Sequence, residues 1–172
     1  MSNKKKIELY SRLFLISKKY KKNELYHYLD TADVAIIIPI IDKKFLIVSQ
    51  KRVPINKINF EFPCGYVDLD EKPEKSAARE LLEETGYKSL ITPKKLIKFY
   101  EEPGRMTSQA HCFYSKKLIK VKNPEKGIKI HFFTKSEIIN LIKKNKFNNG
   151  AHLAAFYKYL SLNIIKNIKN SK

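Results

Sequence analysis

The chain has 172 residues, 43% of them hydrophobic, enough for one domain with a real core, and its two cysteines, Cys64 and Cys112, exclude a disulfide framework and suit a cytoplasmic protein. It carries 35 basic and 17 acidic residues, a formal charge of +18, which raises nucleic acid or a membrane surface as a partner. Only Arg12, Arg52, Arg79 and Arg105 are arginines, however, and the lysines are spread without an aromatic-interleaved block, as AT-rich codon usage would leave them, so nucleic acid is not the favoured partner.

The first residues, Met-Ser-Asn-Lys-Lys-Lys, run on without an apolar stretch or a cleavage site, and no signal peptide is expected. Residues 7 to 29 alternate in part and predict two short strands joined near Lys21-Lys22-Asn23. Val34 to Ile40 is almost continuously apolar, as befits a strand buried on both faces; Pro39 interrupts the run, which is far too short to span a membrane. Asp42-Lys43-Lys44 reads as a turn and Phe45 to Ser49 as the paired strand. Helix-favouring residues fill Glu74 to Thr85, with Pro73 suited to the first helical position and Gly86 to the stop. Lys95 to Glu101 and Ala110 to Lys117 predict strands around a loop, Glu102 to Gln109. Lys129 to Phe133 is a further strand, and Ser136 to Lys144 a short helix. A last helix is expected from about Ala151 to Ile165, capped by Asn148 or Asn149. Mixed strands with helices around them predict an α/β fold, divided into a strand extension over residues 1–31 and a main domain over 32–172.

The helix from Glu74 sets Glu80, Glu83 and Glu84 on one face and Ala77 and Leu81 on the other. Three crowded carboxylates repel one another and raise their own pKa values, which a divalent cation would relieve; hard oxygen ligands suit Mg²⁺ or Mn²⁺. Arg79, four residues before Glu83, is placed to hold its carboxylate. The bland reading is a solvated charged face. Gly65 and Glu71 at fixed distances upstream weigh against it. The histidines, His27, His111, His131 and His152, are scattered without metal-site spacing and suggest only packing or surface roles.

Gly65, Glu71 and the run Arg79-Glu80-Leu81-Leu82-Glu83-Glu84-Thr85-Gly86 fall within 22 positions. This pattern resembles the Nudix box, the signature of hydrolases that cleave a diphosphate attached to another moiety. Only the last position departs: Tyr87 stands where an aliphatic residue is usual, and is expected to pack in the core. The resemblance implies an α/β/α sandwich around a mixed sheet. It implies Glu80, Glu84 and the backbone carbonyl of Cys64 as metal ligands, Glu83 as a ligand or water-orienting group, and Gly65, Glu71 and Gly86 as supporting residues.

Outside the box, Gln50-Lys51-Arg52 followed by Glu61-Phe62-Pro63-Cys64-Gly65, and Pro103-Gly104 sixteen residues beyond Tyr87, are similar to features of the ADP-ribose pyrophosphatase branch. The resemblance there implies hydrolysis of ADP-ribose, or of a related nucleoside diphosphate sugar, to AMP and a sugar phosphate. Arg52 would grip phosphate through its planar fork, with Glu61, Pro103 and Arg105 also lining the substrate site. The segment before residue 32 would cross to a second subunit in a homodimer, where Tyr28 or Tyr26 would stack on adenine. The general base is expected from the loop Lys122 to Gly127, where Glu125 is the only acid; Glu83 is an alternative, and Glu101 and Glu102, beside the Pro103 loop, are further candidates. The rival readings are a Nudix hydrolase acting on RNA 5′ ends or damaged nucleotides, and a non-catalytic nucleotide-binding module.

Overall fold

The computed structural model describes residues 4–10, 12–21 and 24–170. The apolar run expected as a doubly buried strand is β4 (Val34–Ile41), whose six middle residues are buried. Asp42 and Lys43 both take positive φ, 47° and 63°, and make the two-residue hairpin turn whose twist matches that of its strands. The turn leads into β5 (Lys44–Arg52). The two strands stay paired only at Ile40–Phe45 and Ile41–Lys44, then splay. β5 goes on to pair with β6 (Lys57–Glu61) and with β12 (Lys129–Phe133). β4 instead pairs with β7 (Cys64–Tyr66) and, in parallel, with β10 (Gln109–Ser115), which also pairs with β9 (Lys94–Tyr100). The seven-stranded sheet is therefore mixed, and the chain switches partner strand between Glu61 and Cys64.

Helix α1 (Pro73–Thr85) covers one face through Ala77 and Leu81, packed with Ala35, Ile37, Val67 and Phe113. Helices α2 (Lys135–Lys143) and α3 (Gly150–Asn170) cover the other over Ile36, Ile38, Phe45 and Phe62. Phe62 meets Phe147 edge-on at 5.4 Å between centroids, and Phe45 meets Phe156 likewise at 5.4 Å, pairs worth about 0.5–1.5 kcal/mol each beyond burial. The result is the α/β/α sandwich that the resemblance implied. Of the two candidate caps for α3, Asn149 serves: its Oδ1 accepts from the N–H of Ala151 at 3.0 Å. Tyr87 packs edge-on against Phe132, beside the α1 side of the core.

The N-terminal segment differs from expectation. It forms three antiparallel strands, β1 (Lys4–Tyr10), β2 (Leu13–Tyr20) and β3 (Glu24–Asp30), not two. The extra reversal comes at Arg12, which takes a left-handed φ of 60° between the paired Tyr10 and Leu13. Of the expected turn near Lys21-Lys22-Asn23, residues 22 and 23 lie outside the described residues; Tyr20 and Glu24 pair across it. Four strands were not foreseen: β6 and β7, and the short β8 (Tyr87–Ser89) and β11 (Leu118–Lys120), which pair with each other. Among the described residues no helix is long and apolar enough to cross a membrane.

Candidate functional site

The site forms where α1 passes behind the partner switch. The Cys64 N–H donates to Glu84 Oε2 at 3.0 Å, and Gln50 Nε2 donates to Oε1 of the same carboxylate at 3.4 Å. Glu80 lies against Gly65: a Cβ there would come within 2.5 Å of Glu80 Oε2 and clash with the rest of the carboxyl group. A side chain at position 65 would have to push the Glu80 carboxyl group aside. Burial pushes Glu84 up to about 7, opposed by the Cys64 hydrogen bond and assisted by the nearby Glu80 charge. Burial also raises Glu80, against the pull of Arg79. Mutual repulsion was expected to raise these groups; desolvation is the larger cause. Two desolvated carboxylates of like charge beside the half-buried strand end at Cys64 and Gly65 fit a hard divalent cation.

Arg79 organises the acidic face. Its Nη1 donates to Glu80 Oε1 at 2.7 Å and to Glu83 Oε2 at 3.2 Å. Its Nη2 donates to Glu71 Oε2, Ser76 Oγ and the Tyr66 carbonyl, each at 3.0 Å. The hydrogen bonds from Arg79 hold Glu71 below the usual carboxylate range. Arg79 therefore touches the carboxylates of Glu71, Glu80 and Glu83, the geometry of a positioning residue. Glu71 supports Arg79 in turn.

Arg52 is bound to Glu61 by Nε at 3.1 and 3.2 Å and by Nη2. Glu61 is almost fully buried and also accepts from Asn59 Nδ2 at 2.9 Å. Burial is the largest single influence on Glu61 and would raise it; the hydrogen bonds from Arg52 and Asn59 and the nearby positive charge together outweigh it and hold the group low. Glu61 thus sits behind Arg52 as its anchor. Arg52 faces a cleft of about 310 Å³, lined also by Thr31, Val34, Cys64, Gly65 and Met106.

From the loop before β10, Met106, Ser108 and the preceding Glu101 line the cleft, whereas Pro103 and Arg105 are exposed beyond it. That loop is tied to the N-terminal sheet, with Leu29 N–H donating to the Arg105 carbonyl at 2.7 Å and Thr107 N–H to the Leu29 carbonyl at 3.0 Å. Tyr28 lies in a different cavity, with Lys18, Tyr20 and Tyr26 on the N-terminal sheet, so within one chain it is not brought to the cleft. Glu83 and Glu125 are brought together: they line one cavity with Lys122, Asn123 and Pro124, and the Glu125 N–H donates to the Glu83 carbonyl at 3.2 Å. Gly86 makes that approach feasible, with a left-handed φ of 71° and its carbonyl accepting from Val121 and Lys122.

Sequence reasoning missed His152. It is buried at the start of α3, where its Nδ1 accepts from the Phe62 N–H at 3.0 Å and its Nε2 lies 3.7 Å from Cys64 Sγ. No spacing signal could have found it, since it stands 88 residues from Cys64.

Comparison with known proteins places this geometry. The NUDIX domain matches residues 31–156. An ADP-ribose pyrophosphatase of Bacillus subtilis (strain 168) is 39% identical over 88 residues, 49% of this chain and 45% of that protein. A methanol dehydrogenase activator of Bacillus methanolicus is 31% identical over 134 residues, 75% of this chain and 71% of that protein. An ADP-sugar pyrophosphatase of Mus musculus is 40% identical over 66 residues, 36% of this chain and 30% of that protein. The chain thus spans less than half the length of the two pyrophosphatases. A solved structure described as an ADP compounds hydrolase covers 93% of this chain and 91% of its own with a TM-score of 0.77; at 17% identity this is a likeness of fold.

Proposed function

The chain belongs to the NUDIX domain family, and on that premise we propose that it hydrolyses the diphosphate bond of ADP-ribose, or of a related nucleoside diphosphate sugar, to AMP and a sugar phosphate with Mg²⁺ or Mn²⁺. One observation carries the reading: the desolvated carboxylates of Glu80 and Glu84 stand against the backbone of Cys64 and Gly65, at the cleft that Arg52 faces. The similar pyrophosphatases support the substrate class.

Glu80, Glu84 and the Cys64 carbonyl would hold the cation, which when bound neutralises diphosphate charge and lowers the pKa of water. The chain's own groups do the rest. Arg52, fixed by Glu61, keeps free donors on its fork for phosphate oxygens. Water adds to phosphorus, the P–O–P bridge breaks, and the displaced phosphate leaves as the second product. The water's proton passes to a carboxylate; Glu83 and Glu125 are the two candidates in reach of one cavity. Arg79 fixes Glu80 and Glu83 throughout.

We further place the protein in the cytoplasm as a homodimer, with residues 1–31 as the dimerising extension and 32–172 as the hydrolase domain. Ile7, Leu9, Leu25 and Tyr26 are exposed on the N-terminal sheet, an apolar surface that a second copy would cover. Light scattering at the mass of one chain would remove this part.

The test is turnover, with Mg²⁺, of ADP-ribose, ADP-glucose, GDP-mannose, NADH, 8-oxo-dGTP and 5′-triphosphorylated RNA. Fastest release of AMP from ADP-ribose is expected. Preference for RNA or a triphosphate would keep the metal helix, overturn the substrate, and give the +18 charge a function.

A further inference from the structure

The chain changes partner strand between β6 and β7. Glu61 still pairs with Val48 of β5, while Cys64 already pairs with Ile36 of β4. In that crossover the Pro63 carbonyl accepts from Ile37, but Phe62, wholly buried, has no sheet partner for its N–H. His152 of α3 supplies the acceptor through Nδ1 at 3.0 Å. Because Nδ1 accepts, the ring proton is on Nε2, directed towards Cys64 Sγ at 3.7 Å. The ring is fixed on both sides, stacked on Phe62 and edge-on to Phe147.

Glu61, Cys64 and His152 each place a ligand atom within 4.8 Å of the others, a grouping that invites a metal reading. Its donors are committed elsewhere. Both Glu61 oxygens accept from Arg52, and one also from Asn59. A cation on Nε2 would have to displace the proton that the Phe62 bond leaves there. The group is a hydrogen-bond network.

The residues on either side of Phe62 are those the site depends on. Glu61 anchors Arg52; Cys64 fixes Glu84 through its N–H, and its carbonyl is one of the ligands of the proposed cation site. We infer that His152 is a positioning residue, which sets the Glu61–Cys64 crossover from the opposite layer of the sandwich and so holds the phosphate clamp and the cation site in register. The inference rests on the proposed function of the same site, and His152 acts through backbone and through Cys64, touching no substrate.

The experiment compares His152→Leu and His152→Asn with the wild type. Mn²⁺ binding is followed by electron paramagnetic resonance, kcat and KM are measured on ADP-ribose, and each variant is checked by thermal melting. Asn offers an oxygen where Nδ1 stood; Leu offers none. His152→Leu is expected to weaken Mn²⁺ binding and lower kcat by about 10–100-fold, the range for residues that orient metal ligands. His152→Asn is expected to stay outside that range of about 10–100-fold and close to wild type, a rescue that simple loss of packing would not show. Should His152→Leu not fold, His152→Gln serves, since its amide falls near Nε2 and leaves the Phe62 N–H unmatched; the same loss is expected. Wild-type Mn²⁺ affinity in His152→Leu, or in His152→Gln, overturns the inference. Wild-type protein that binds Mn²⁺ but leaves ADP-ribose intact overturns the substrate reading alone. Wild-type protein that binds no Mn²⁺ overturns both.

Discussion

The Cys64 N–H and Glu84 Oε2 are joined at 3.0 Å, so the strand end that opens the box and the last inward carboxylate of α1 move as one unit. Glutamine at position 84 keeps an oxygen for that bond but not the ligand charge. Glu84→Gln is therefore expected to fold, and to lose Mg²⁺-dependent turnover by more than about 100-fold, beyond what residues outside the ligand set contribute. Near-wild-type turnover would remove Glu84 from the cation site.

The same carboxylate shapes stability against pH in metal-free protein. Glu84 is raised from 4.5 to about 7 by burial, so the folded state holds a proton that the unfolded state loses, and stability falls as pH rises from about 4.5 to 7. His152 is lowered from 6.5 to about 4 by burial, so stability falls as pH drops from about 6.5 to 4. Each shift corresponds to about 3 kcal/mol, and between about 4.5 and 6.5 the two slopes oppose. Glu84→Gln removes one of them. Its urea midpoint is expected to drop on acidification from pH 6.5 to 4.5 while the wild-type midpoint stays nearly level. A wild-type midpoint that follows the variant's would mean Glu84 titrates as an ordinary surface glutamate. Mg²⁺ should stabilise the wild type more at pH 8 than at pH 5, since it binds the ionised carboxylate.

Much of this was legible in the chain because the signals are local. The α1 carboxylates, the Pro73 start and the Gly86 stop lie within one helix, where spacing alone sets the faces. The buried strand Val34–Ile41 announced itself by an almost continuous apolar run. What stayed hidden is non-local. The first reversal of the three-strand N-terminal sheet comes at Arg12, left-handed and a residue with no turn signature. His152 reads as an ordinary helical histidine until the crossover between β6 and β7 leaves the Phe62 N–H in need of an acceptor. Pro103 and Arg105 carried positional weight in the sequence, yet Met106 and Ser108 of the same loop line the cleft. Loop residues point by backbone geometry, which spacing does not encode.

Arg52 and Glu61 form an unequal pair: Glu61 is 2% exposed and Arg52 39%. Arg52→Ala leaves a buried carboxylate with Asn59 as its remaining side-chain donor. Removing one partner of a fully buried pair costs about 3–5 kcal/mol; with the arginine partly in solvent, about 2 kcal/mol is expected. Adding Glu61→Gln should recover part of that loss, because no charge is then stranded. A urea-denaturation cycle measures it, and losses that simply add would show that the two side chains do not support each other.

Gly65 and Gly86 bracket the box, and each meets a close approach of a different kind. A Cβ on Gly65 would meet the carboxyl end of the Glu80 side chain, which can swing aside. A Cβ on Gly86 would come 2.7 Å from the Lys122 carbonyl carbon, which is backbone, at a φ of 71° that disfavours any L side chain. Gly65→Ala should therefore leave the melting temperature nearly unchanged while turnover falls by at least about tenfold, because Glu80 is displaced from the cation site. Gly86→Ala should lower stability by about 2 kcal/mol or more, from left-handed strain plus the backbone clash, and free the Glu125 loop from the end of α1. Thermal melts and turnover of the two variants separate the cases. A Gly65→Ala protein that melts as early as Gly86→Ala would mean that Glu80 is held too rigidly to yield, and that the acidic face, not only the loop, is part of the folded scaffold.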